Sequence, residues 1–102
     1  MNKYSVMEIK DVQRVDNGDY SYSTIWFTLK QFPNFVLGLR YSPRRERNRY
    51  NIVISNDIEE NVKINLLELN IRYLKQIKRD LLGMVKDSDY RYRYIYSHFN
   101  KS

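Results

Sequence analysis

Apolar and polar residues alternate most regularly between Tyr20 and Leu29. Tyr20, Tyr22, Thr24, Trp26 and Thr28 take one side, and Ser21, Ser23, Ile25, Phe27 and Leu29 take the other. A period of two marks a strand. The segment before it, Tyr4 to Val15, carries Val6, Ile9, Val12 and Val15 among charged residues, and its alternation slips near the middle. That pattern predicts a strand with a bulge or break. Between the two lies Asp16-Asn17-Gly18-Asp19, whose Asn-Gly pair accepts the positive φ that a type I′ hairpin turn needs at both central positions. Phe32-Pro33-Asn34-Phe35 reads as the next turn, because proline fixes φ and donates nothing to a ladder. Val36 to Tyr41 and Tyr50 to Ser55 predict two further strands, and four strands in succession with short connections make an antiparallel meander.

From Ile64 onward the period changes. Ile64, Leu67, Ile71, Leu74, Ile77, Leu81 and Val85 recur at steps of three and four, the apolar stripe of an amphipathic helix. Asp57 with Glu60, or Asn65 with Glu68, offers a capping-box start, and Gly83 stands about where a left-handed C-terminal residue ends a helix. Tyr90, Tyr92, Tyr94 and Tyr96 then alternate with Arg91, Arg93 and Ile95, which predicts a last strand. The expected fold is α+β, one domain over residues 1–102. It consists of a four- to five-stranded antiparallel meander in ββββαβ order, with one long amphipathic helix on one face and the other face open.

Charge gives this fold a direction. Eighteen Lys and Arg against twelve Asp and Glu leave a formal charge of +6 and a pI near 9.6. A field of that sign attracts nucleic acid or an acidic protein surface, and it also simply keeps a small domain soluble. Asn, Ile, Lys and Tyr are plentiful and alanine is absent, the residue bias that AT-rich coding produces in low-GC bacteria, their phages and mobile elements. No stretch approaches the roughly 20 apolar residues of a membrane span, and the first residues do not resemble a signal peptide. The expected location is the cytoplasm.

The chemistry of catalysis is poorly represented. There is no cysteine, which removes thiol nucleophiles, disulfides and Cys-rich zinc sites. His98 is the only histidine and lies four residues from the last position, so Ser-His and Cys-His arrangements lose their base. Glu8-Ile9-Lys10 has the Glu-x-Lys spacing of metal-dependent nucleases but lacks the preceding strand aspartate those sites require. Asp57-Ile58-Glu59-Glu60 reads as carboxylates complementing a helix N-terminus rather than as a cation site. With three glycines in all, no glycine-built phosphate loop can form. The chain is expected to be no enzyme and to use no cofactor and no metal.

Binding chemistry is better represented. Arg44, Arg45, Arg47 and Arg49 fall within six residues between two predicted strands; guanidinium groups fork onto phosphate or carboxylate, and a loop so charged repels itself without an anionic partner. Tyr90, Arg91, Tyr92, Arg93 and Tyr94 interleave aromatics with cations, which suits stacking on single-stranded nucleic acid and protein hot spots alike. Arg72, Lys75, Arg79 and Lys86 form a basic back to the helix. Glu68 four positions before Arg72, and the interrupting Asp80, point there to an ordinary salt-bridged surface. The Tyr20, Tyr22 and Trp26 row lies on the side of the sheet away from the helix, where exposed aromatics suit RNA stacking, although no RNP-type motif accompanies them.

The function expected from these residues is non-enzymatic binding, as a monomer or homodimer. The partner is nucleic acid or a nucleic-acid-handling protein complex, met through the Arg-rich loop and the Tyr/Arg strand. The alternative is an inhibitor from a phage or mobile element, of anti-CRISPR or host-takeover type, that covers an acidic or nucleic-acid-binding surface of a host enzyme. A more remote reading is a small metal-free ribonuclease using Arg91, Arg93 and Tyr94.

Overall fold

A computed structural model describes residues 3–17, 20–42, 49–55 and 64–86. Four strands, β1 (Val6–Asn17), β2 (Tyr20–Leu29), β3 (Phe32–Ser42) and β4 (Arg49–Ile54), pair in the order β1-β2-β3-β4. All pairings are antiparallel. One helix follows, α1, built of an α-helical turn Leu66–Glu68, a π-helical segment Leu69–Tyr73 and an α-helix Leu74–Lys86. The architecture is α+β, a meander with a helix on one face. The predicted strand Tyr90 to Tyr96 and the alternative helix start at Asp57 lie outside the described residues.

β1 shows how an irregular pattern still builds one apolar face. Val6, Ile9 and Val12 are three apart, a spacing that alternation would scatter. Register shifts between Val6 and Glu8 and between Ile9 and Asp11 each absorb one residue, so the three pair with Leu29, Phe27 and Ile25. Two bulges thus turn a period of three into a single face. The first hairpin differs by one position from expectation: Asn17 pairs with Tyr20, so the two connecting residues are 18 and 19 rather than Asn17 and Gly18.

The second turn also moves. Leu29 pairs with Phe32, which makes Lys30 and Gln31 the turn and places Phe32, Pro33, Asn34 and Phe35 within β3. Between Leu37 and Phe32, β3 spends five residue steps where β2 spends two. Pro33 is tolerated because it sits in this irregularity, and β4 pairs with β3 only from Leu37 onward. Lys30 N donates to Ser5 O at 2.8 Å and Ser5 N donates to Gln31 Oε1 at 3.0 Å, tying the start of β1 to this turn.

Helix and sheet share one core. Ile25, Phe27, Leu29, Leu37, Leu39 and Ile52 from the sheet meet Leu69, Ile77, Leu81 and Val85 from α1, all fully buried. Of the expected helical stripe, Ile77, Leu81 and Val85 are buried and Ile64 and Leu74 pack against the core, but Leu67 is 70% and Ile71 71% exposed. Leu69 and Tyr73 take the inward places of those two, so the inward side carries Leu69, Tyr73, Ile77, Leu81 and Val85, at strict intervals of four. A helix of 3.6 residues per turn drifts off such a stripe; the wider π-helical turn at Leu69–Tyr73 recovers the drift. Asn65 caps the helix as expected, its side chain accepting from Glu68 N at 3.0 Å. Gly83 does not end the helix, which runs on to Lys86.

Asn70, inside the π segment, fastens the helix to the sheet edge. Its Oδ1 accepts from Ile52 N at 2.7 Å, and its Nδ2 donates to Ile52 O at 3.0 Å and to Leu66 O at 3.1 Å. One amide therefore satisfies both outward backbone groups of an edge-strand residue, as a fifth strand would. Before β1, Tyr4 is buried against Tyr73, edge-on at 5.0 Å between ring centroids, and its carbonyl accepts from Gln76 Nε2 at 2.8 Å.

Candidate binding face of the sheet

The helix covers the Ile25, Phe27 and Leu29 side of the sheet; no described element packs on the other side. There, alternation along β2 places Tyr22, Thr24, Trp26 and Thr28, the two threonines buried, and the register brings Gly38 opposite Trp26 and Arg40 opposite Thr24. Gln13 stands opposite Thr24 from β1. Strand pairing thus gathers two aromatics, an arginine and two hydrogen-bonding side chains from three strands.

Their geometry is specific. The Arg40 guanidinium carbon lies 4.4 Å from the Tyr22 ring centroid, and its Nε donates to Thr24 Oγ1 at 3.2 Å. The ring contact and that one bond hold the guanidinium between Tyr22 and Thr24. The two terminal amino groups of Arg40 have no hydrogen-bond or ion-pair partner among the described residues. Trp26 Nε1 donates to Gln13 Oε1 at 3.3 Å. The six-membered part of its indole lies over Gly38, where a Cβ would come within 2.8 Å of Trp26 Cζ3 and of Thr24 Cγ2. Only glycine leaves room for the ring to lie down on the sheet. Thr24 is buried between these neighbours, while Tyr22, Trp26 and Arg40 are half-buried. Four residues along one strand separate the two aromatic positions by about 13 Å.

The predicted site residues distribute unevenly around this face. Arg49 opens β4 opposite Ser42, so it stands in the strand and not in the loop expected to carry it. β3 ends at Ser42, two residues beyond Arg40 and at the end of the face where Tyr22 lies. Arg44, Arg45 and Arg47 themselves, and Tyr90, Arg91, Tyr92, Arg93 and Tyr94, lie outside the described residues, as does His98. Tyr22 and Trp26 occupy the face predicted for them. Arg40 and Thr24 were not anticipated as a pair, because placing the second turn at Phe32–Phe35 hides the register that makes them neighbours.

On the helix side, a second polar cluster closes the core. Tyr41 is buried, its ring 4.9 Å from that of Tyr50, and the Lys78 Nζ lies 3.7 Å from the Tyr50 centroid. Burial, and after it the neighbouring Tyr50, pushes the Tyr41 phenol above its usual 10.0. Burial likewise lowers the Lys78 ammonium from its usual 10.5. Lys3 is raised by its hydrogen bond to Glu68, 3.1 Å long. The i,i+4 pair expected between Glu68 and Arg72 is thereby corrected, since Glu68 faces Lys3.

Among the described residues no group of three or more His, Cys, Asp or Glu is placed to hold a metal ion, and no helix is long and apolar enough to cross a membrane. No protein-family model, curated protein or solved structure matches the chain.

Proposed function

We propose that this protein binds single-stranded nucleic acid without catalysing a reaction. The reading rests on one observation: the Arg40 guanidinium lies 4.4 Å from the Tyr22 ring centroid and is tied through Nε to Thr24, and its terminal amino groups have no partner among the described residues. A preset planar fork loses little entropy on meeting a phosphate. Trp26, laid on Gly38 beside it, offers a ring face to an unpaired base. Paired bases keep their faces inside a duplex stack and cannot use that ring, which favours single strands. Arg44, Arg45, Arg47 and Arg49, on the adjoining hairpin, extend the path for the phosphate backbone. The formal charge of +6 supplies the long-range attraction.

A gel shift with short single- and double-stranded DNA and RNA tests this. Single strands are expected to be retarded at low salt and progressively released as salt rises. Arg40→Gln, and separately the Arg44, Arg45, Arg47 and Arg49 to Ala variant, should each weaken retardation tenfold or more. Retardation that none of these changes affects would remove the site from this face and loop.

A further inference from the structure

The outward side of α1 has a composition the core does not require. Two positions out of phase with the inward stripe, Leu67, Ile71, Lys75, Arg79 and Gly83 also recur every four residues, and all are exposed. With Asn65 and Arg72 they make up the whole exposed set between residues 64 and 85, and none is acidic. Leu67 and Ile71, one turn apart, are 70% and 71% exposed. Arg72, Lys75 and Arg79 have no ion pair among the described residues. Among the described residues, the two carboxylates of the helix are engaged: Glu68 holds Lys3 at 3.1 Å, and Asp80 is half-buried with Gln76 Nε2 at 3.4 Å.

Two features here work against the isolated chain. Leu67 and Ile71 keep large apolar side chains in water, and three cations within two turns repel one another. A single docked surface relieves both, provided that it presents apolar side chains beside carboxylates. We propose that the outward face of α1 docks an acidic amphipathic segment of a partner protein, its apolar side chains seated on Leu67 and Ile71 and its Asp or Glu on Arg72, Lys75 and Arg79. From Leu67 to Gly83 this face extends about 24 Å, the length of a short helix laid alongside.

Other occupants match less of the face. A nucleic-acid backbone would use the cations and leave Leu67 and Ile71 idle. A second copy across a two-fold axis would set the same cations against each other, with apolar area far below the roughly 800 Å² per partner of a stable interface. An anionic membrane calls for a broader apolar face than two side chains. The docking face and the Tyr22–Trp26–Arg40 face lie on opposite sides of the molecule, so the proposal stands apart from nucleic-acid binding, and both faces can be occupied together.

The test uses the full chain and two labelled synthetic peptides of one composition, Leu, Glu, Asp, Lys and Gln. In one, Leu and acidic residues are ordered into an amphipathic helix; in the other they are scrambled. Fluorescence anisotropy at about 150 mM salt is expected to give a micromolar Kd for the ordered peptide and at least tenfold weaker binding for the scrambled one. The paired changes Leu67→Gln with Ile71→Gln, and Arg72→Glu with Arg79→Glu, should each weaken binding tenfold or more. Because all four positions are exposed, both variants should keep the parent melting temperature, and the Leu67/Ile71 variant should keep full oligonucleotide retardation. Equal binding of the two peptides, or of neither, overturns the proposal. So does Leu67- and Ile71-dependent capture by phosphatidylglycerol vesicles, or a sedimentation mass that doubles through these residues.

Discussion

Gly38 and Gly83 are both achiral residues in regular structure, yet their surroundings give opposite predictions. A Cβ on Gly38 would collide with Thr24 and Trp26 at 2.8 Å. Gly38→Ala should therefore destabilise the fold by about 1–3 kcal/mol and shift the emission of Trp26, the only tryptophan. Urea melts and fluorescence spectra read both. At Gly83, in the exposed helix, a Cβ meets nothing within 4 Å, and Gly83→Ala should stabilise by about 0.5–1 kcal/mol. Tyr41 sets an alkaline limit. Its phenol is raised in the folded state, so its contribution to stability is full below pH about 10 and lost as pH climbs through the raised value. Lys78, lowered on folding, acts in the reverse sense, favouring folding as pH rises toward 10.5. Thermal melts between pH 8.5 and 11 should show Tyr41→Phe gaining on the parent above pH 10, those pH values following from the ordinary phenol range.

At the level of elements, Asn70 is the clearest joint. Replacing it by Ala leaves Ile52 N and O without their partner and frees Leu66 O. The expected loss is about 2 kcal/mol, with faster amide exchange at Ile52 rather than uniformly through the sheet. This joint also marks where sequence reading stops. Strand identity was legible wherever one face is buried: β2 kept its predicted bounds, and β4 moved by one residue. The order β1-β2-β3-β4 followed from short connections. A helix was legible too, and so was the inward placing of Ile77, Leu81 and Val85; its first turns were not, because Leu67 and Ile71 satisfy three- and four-residue steps as well as Leu69 and Tyr73 do. A π-helical turn, set by tertiary contacts such as Asn70 to Ile52, decided between them. The same holds for β3: the bulge that admits Pro33 leaves no periodic trace, and missing it concealed the pairing of Arg40 with Thr24. Tyr22 and Trp26 were readable as candidates from alternation alone, whereas the arginine that completes their face needed the register.

For the molecule as a whole, the sheet separates two surfaces of different character: an aromatic and guanidinium face on one side, and on the other a helix bearing Leu67, Ile71 and the cations Arg72, Lys75 and Arg79. If Arg40 and the four hairpin arginines each neutralise one phosphate, affinity for a single strand should fall with a log–log salt slope of about −3.5. The variant lacking Arg44, Arg45, Arg47 and Arg49 should flatten it to about −0.7, by the same relation.

Titrating the parent chain with a short single-stranded oligonucleotide at low salt, while following Trp26 emission, tests the central claim most directly. Saturable quenching, reversed by salt and weakened at least tenfold in Arg40→Gln, is the predicted result, because Trp26 and Arg40 share one face of the sheet. Emission that stays unchanged with every single-stranded DNA and RNA would contradict it.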